Sequence, residues 1–383
     1  MYGRGNTGMA LETAPHDRTA PGASLSKLVP VALKSFPQKP SVSVLITCFN
    51  YGAFVGQAID SVLAQTYPPT EIIVSDDASH DNSCEVVESY VSRGHGIRLL
   101  RNPHGGMAAN LNAAYRNSTG DVICLLDADD TFLPSKVEAV VNAFRSHPQA
   151  GFAIHRASLV DNQKRQRGMY PLLSALPTGD CAQWTYDNAG ILMGLPPTTN
   201  LALRREIADQ IFPIPVEYTG YAEQMIHRLA PLMTELCAMD EPLARWRLHG
   251  LNDQNSTRIT ARRLERELKI MDSLWLEQKR YLQGIDDALA RSFPNIDRNP
   301  LYLKMNYIRH RLNNDPATRQ AYHDLCRYGL RSNSKMDQFW RFSNRLPHPL
   351  FQRAVDLLLT QSVWKQMVTR AIRGERERAA ESR

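Results

Sequence analysis

Apolar positions from residue 41 onward follow two alternating rhythms, short continuous runs and stretches at helical spacing. Ser41-Val42-Ser43-Val44-Leu45-Ile46-Thr47 is rich in β-branched residues and predicts a strand covered on both faces. A helical pattern follows from Phe54 to Leu63. Ile72-Ile73-Val74 then predicts a second strand, which ends in Ser75-Asp76-Asp77. The alternation continues with a helix near 81–92, a strand at 97–100 and a helix opened by Gly105-Gly106. Asp121 to Leu126 is the next strand, followed by a helix at about 135–146 and a strand around 150–155. Strands separated by helices of this length predict an α/β fold, a parallel sheet with helices on both faces. Such sheets bind ligands beyond the carboxyl ends of their strands. Chemistry is therefore expected in the loops after Ile46, Val74 and Leu126.

The two ends of the chain read differently. Residues 1–38 are rich in Gly, Pro, Ser, Thr and Ala without periodicity, which predicts a disordered leader. From 258 onward the pattern is helical. Thr260 to Arg291 places Leu264, Leu268, Met271 and Trp275 on one face, and helical stretches follow near 301–312, 316–329 and 348–372. The predicted organisation is a leader to 38, one α/β domain over 39–257 with an acceptor region from about 160, and a helical C-terminal appendage over 258–383. Trp364 to Arg383 mixes Trp, Met and Ile with Lys and Arg. It reads as a solvated terminal helix, with a membrane-surface anchor as the alternative.

Composition narrows the setting. The 383 residues are 43% hydrophobic and 22% charged, which is ordinary for a globular protein. A net charge of +6 is too mild to argue for nucleic acid and equally suits phosphate-bearing ligands or anionic headgroups. The 6 cysteines show no C-x-x-C spacing and several lie in apolar runs, so they read as buried thiols rather than disulfides or zinc ligands. No apolar stretch is long enough to span a bilayer and the N-terminus lacks a signal-peptide pattern. The expected location is the cytoplasm, with peripheral contact at the inner membrane face as the alternative.

Three acidic features stand out: Asp76-Asp77 after the second strand, Asp127-Ala128-Asp129-Asp130 after the fourth, and Glu223. Carboxylates beside an apolar strand are costly to bury unless a positive partner is present. Asp127 and Asp129, two residues apart, would share one side of an extended segment and hold a hard cation, Mn2+ or Mg2+, together with phosphate oxygens.

Ser43 to Tyr51, Gln65-Thr66-Tyr67, Glu71 to Ser79 and Gly120 to Asp130 occur in this order with compatible gaps. So do Pro196 to Asn200 and Arg245 to Asn252. Together they resemble a family 2 glycosyltransferase, an inverting enzyme of the GT-A fold, whose nucleotide-binding sheet is Rossmann-like. The resemblance covers about 40–255. It implies that Thr47, Phe49, Asn50, Asp77, Asn110 and Asp127 bind the nucleotide, with the Phe49 ring on the base and Asp77 hydrogen-bonded to it. It also implies Asp129 and His249 as metal ligands and Glu223 as the catalytic base, at a position where many relatives carry aspartate. Relatives often carry an arginine shortly before Asn110, and Gly106 to Ala109 contains none.

The implied partners are a UDP-sugar donor and a glycan or lipid-linked acceptor hydroxyl. Inverting transfer needs one carboxylate base for the acceptor proton and positive charge behind the departing diphosphate. Two other functions stay open, a nucleotide-sugar-binding protein without turnover and a nucleotidyltransferase. An NAD-dependent enzyme is disfavoured, because no G-x-G-x-x-G follows the first strand. Structural roles also stay open for single residues. Asp76 would cap the following helix, Phe49 would fill core, and Gly105-Gly106 would form either an anion-binding nest or a plain turn. His104 and His155 are read as structural.

Overall fold

The computed structural model describes residue 25 and residues 28–359, except 162, 164, 172, 174, 219, 249–257, 331 and 333. It begins with the expected alternation: β1 (Val42–Cys48), α1 (Gly52–Leu63), β2 (Glu71–Asp76), α2 (Ser83–Val91), β3 (Ile97–Arg101), α3 (Gly106–Arg116) and β4 (Val122–Asp127). Then come β5 (Thr131–Phe132), α4 (Lys136–Ser146), β6 (Ala150–Asp161), β7 (Gln166–Tyr170), α5 (Ala182–Asp187), β8 (Leu201–Arg204), α6 (Arg205–Ile211), α7 (Ala222–Met233) and β9 (Glu235–Leu248).

The strand order is β3-β2-β1-β4-β8-β6-β9-β5, with β7 paired to β6. β3, β2, β1 and β4 are parallel, as the pattern predicts. The all-parallel expectation fails beyond them. β8 inserts antiparallel between β4 and β6, and β6 then pairs in parallel with β9. β8 has only four residues, and β9 crosses the polar stretch Asp240-Glu241-Pro242, so neither gives a clean strand signal. The mixed, curled sheet nevertheless has helices on both faces.

Alternate side chains on β1 and β4 fill two separate cores. Leu45, Ile123 and Leu125 face α3, α6 and α7, whereas Val44, Ile46, Cys124 and Leu126 face α1 and α4. All of them are fully buried, and each large side chain contributes about 1.5–3 kcal/mol. Period-two alternation therefore explains why the sequence reads as continuous apolar runs. All 6 cysteines are free, and five of them are buried.

The segment 28–38, assigned by its composition to the disordered leader, is packed in the structure. Val31 N donates to Met233 O at 2.8 Å, the Phe36 ring packs at a 59° tilt against Phe144, and Lys34 N donates to Glu206 at 2.9 Å. Val31 and Leu33 rest on the core beside α7, and apolar contacts that distant in sequence leave no local periodicity to read.

The C-terminal region is α-helical: α8 (Ala261–Ile285), α9 (Asp287–Ser292), α10 (Pro300–Leu312), α11 (Thr318–Asp324), α12 (Lys335–Ser343) and α13 (His348–Leu359). Leu264, Leu268 and Met271 of α8 join Tyr307, Leu325, Trp340 and Phe351 in a separate core. α8 also packs on α7, where Gln278 Nε2 donates to the Arg228 and Gly190 carbonyls at 2.7 and 2.9 Å. Among the described residues no helix is long and apolar enough to cross a membrane. The Trp364–Arg383 stretch lies outside the described residues.

Candidate active site

The register of the parallel strands assembles the site. Thr47 lies opposite Asp127 on β4, and Cys48 lies opposite Asp76 on β2. The loops after β1, β2 and β4 therefore open at one edge of the sheet. Thr47 Oγ1 donates to Asp127 Oδ1 at 3.3 Å, and Asp127 N donates to Thr199 Oγ1 at 3.1 Å.

Beyond Asp127 the chain does not remain extended. Asp130 N donates back to Asp127 O at 3.0 Å, closing a turn. This turn, rather than strand alternation, brings the acidic side chains together. Asp130 is 2% exposed and points inward. It accepts from Thr199 Oγ1 at 2.7 Å and from Arg247 N at 2.9 Å, so it ties β4 to β9. Burial, then the charges of Asp129 and Asp127, hold its carboxyl well above the usual range.

Asp127 is pushed up to about 8, first by burial and then by the charges of Asp129 and Glu223. Asp127 and Glu223, distant in sequence, thus share one electrostatic site. Glu223 lies in the first turn of α7, is 6% exposed, and is raised by burial. Among the described residues no three His, Cys, Asp or Glu side chains close around a common point as a metal cage. Asp127 is half-buried and Asp129 is 6% exposed. A hard cation held by one or two carboxylates and completed by phosphate oxygens fits such a donor set. The mutual repulsion that raises Asp127 is what that cation would relieve. His249 lies outside the described residues.

Asp77 sits on the opposite side of the opening. Its carboxylate accepts from Gly105 N at 2.8 Å and Gly106 N at 3.0 Å. Gly105-Gly106 therefore forms a nest, and the anion in it is Asp77 itself. His104, read from the sequence as structural, lies with Nδ1 2.9 Å from Asp77 Oδ2. Its ring lies 4.9 Å from that of Phe49, which is 39% exposed rather than core.

Asn50 and Asn110 stand behind these groups. Asn50, at φ 55, accepts from His80 N at 2.8 Å and shapes the loop after β1. Asn110 is 2% exposed, and its amide meets Ser75 Oγ, Asn102 Nδ2 and the Cys48 carbonyl. It fastens α3 to the ends of β1 and β2. Asp76 caps its own turn, accepting from Ser79 N at 2.9 Å, while Asp81 accepts from Ser83 N at the start of α2.

Two site groups were not singled out from the sequence. Thr199 bonds both Asp127 and Asp130, and its motif gave the only hint of it. Arg247 is 8% exposed and close enough to Asp129 and Asp130 to feel their charges, with its guanidinium 4.7 Å over the Phe54 ring. Its only signal was the Arg245 to Asn252 motif, in which it had no separate role.

Residues 43–212 match the family described as glycosyl transferase family 2. An uncharacterized glycosyltransferase of Nostoc sp. is 29% identical over 272 residues, 70% of this chain and 82% of that protein. The hyaluronan synthase of Pasteurella multocida is 32% identical over 118 residues, 31% of this chain but only 12% of its own length. The crystal structure of S. aureus TarS 1–349 in complex with UDP-GlcNAc superposes with a TM-score of 0.53 at 15% identity. It covers 88% of this chain and 92% of that one, so the two share a fold.

Proposed function

We propose, because residues 43–212 match the family described as glycosyl transferase family 2, that this chain transfers a sugar from a UDP-sugar to an acceptor hydroxyl, with inversion at the anomeric carbon. The observation that supports this reading is that the Glu223 charge bears on Asp127, which suits a base beside a cation and diphosphate site. Hyaluronan synthase and TarS, by their names and contents, point to a glycan-type acceptor and a UDP donor.

The chain's own groups divide the work. Phe49 offers a ring face to the base and Asp77 a carboxylate to its N–H. Thr47 orients Asp127. Asp127 and Asp129 would hold Mn2+ or Mg2+, with His249 as a further ligand. That ion would supply the Lewis acidity that stabilises the leaving diphosphate. Arg247 adds positive charge at the same end, in place of the arginine missing before Asn110. Glu223, with its pKa raised by burial, is a stronger base than an exposed glutamate and takes the acceptor proton as the oxygen attacks.

Glu223→Gln tests this directly. Transfer is expected to fall by about 10²–10⁴-fold while UDP affinity stays within about twofold, and the wild-type product should have inverted configuration. Unchanged turnover in Glu223→Gln would remove Glu223 as the base, and a retained product would reject inversion.

A further inference from the structure

Phe49 and Asp77 each already have a partner, and it is the same one. The His104 imidazole lies on the Phe49 ring with centroids 4.9 Å apart and planes 31° from parallel. Its Nδ1 stands 2.9 Å from Asp77 Oδ2 and 3.3 Å from the Asp77 carbonyl oxygen. A planar heterocycle that rests on an aromatic face and gives an N–H to this carboxylate makes the contacts a pyrimidine base would make.

We propose that His104 occupies the place the donor nucleobase would take and that the base binds by displacing it. This rests on the reading of the site as a UDP-sugar site and adds the residue that sets the cost of entry.

Two features allow the exchange. The His104 side chain is 64% exposed, so little packing resists its departure, whereas the Asp77 side chain is 5% exposed. The Gly105 and Gly106 N–H groups hold Asp77 independently of the imidazole. Once the ring swings out, the acceptor oxygen stays in place and the Phe49 face is bare. The base then gains only the difference between its own contacts and those of the imidazole it replaces. Because the imidazole has one N–H here, shared between Asp77 Oδ2 and the Asp77 carbonyl, a base with its own N–H for Asp77 and a larger stacked surface prevails.

The test is a calorimetric titration of UDP, and separately of inorganic pyrophosphate, into wild type and His104→Ala with Mg2+ present. Removing the stand-in should tighten UDP binding about fivefold, the worth of one hydrogen bond of about 1 kcal/mol. Pyrophosphate has no base and should bind both proteins equally. In a histidine-labelled sample, the His104 ring resonances, identified by their loss in His104→Ala, should move on adding UDP but not pyrophosphate. If wild type binds UDP and His104→Ala binds it equally or more weakly, His104 is a bystander or a base platform and this inference alone fails. If wild type binds no nucleotide with metal present, the UDP-sugar reading fails and takes this inference with it.

Discussion

At the scale of single residues, charge in this protein is governed by burial more than by ion pairs. His227 shows the effect in isolation. It is 8% exposed, its Nε2–H donates to the Pro196 carbonyl at 3.0 Å, and burial holds its pKa near 3 against an ordinary 6.5. His155 is likewise held near 3. Between those values the unfolded chain takes up protons that the folded chain refuses, so stability falls as pH drops below 6.5. At pH 5 the loss is about 2 kcal/mol for each. Asp127, Asp130 and Glu223, all raised, act in the opposite direction, so a mutant difference is the clean readout. His227→Gln keeps an N–H for Pro196 without a titrating ring. Urea unfolding at pH 7 and pH 5 should show that it loses about 2 kcal/mol less than wild type. An equal loss would mean that His227 is not held neutral in the fold. The same competition marks what the sequence could reveal. Asp77, Asp127 and Asp129 were legible as candidates because each closely follows an apolar strand, at the ligand edge of the sheet. Thr199, Arg247 and His104 were not, since each matters only through a neighbour more than twenty residues away.

At the scale of elements, the α/β alternation was legible through β4 because period two and period 3.6 are strong local signals. The antiparallel insertion of β8 was not, because a four-residue strand buried on both faces has no length over which a rhythm can emerge. Nor did the sequence reveal how α8 supports the site. Tyr218 OH donates to Ser273 Oγ at 2.9 Å and Arg266 reaches Tyr221 OH at 3.1 Å, so α8 grips the approach to Glu223. Gly190 makes the closest contact beneath it. At φ +79 it sits where side chains are strained, and an added Cβ would stand 1.9 Å from Gln278 Oε1. Gly190→Ala should therefore cost about 1–3 kcal/mol in thermal or urea unfolding. A neutral effect would show that α7 and α8 can shift apart freely, and that α8 does not fix Glu223.

At the scale of the whole molecule, the C-terminal helices are a buttress with their own core, docked on the face of the sheet that carries the base. The opposite wall of the opening carries Asp77, Phe49 and His104, and the Asp127–Asp129 turn lies between. Under the proposed function, these groups would serve as a base-recognition wall, a cation site and a carboxylate base along a bound nucleotide-sugar. The most direct test is calorimetric titration of UDP into wild type and Asp129→Ala, each with Mn2+ and with EDTA. The account predicts binding by wild type with Mn2+, and its loss both in EDTA and in Asp129→Ala. Equal UDP binding in all four conditions, or none in any, would contradict it.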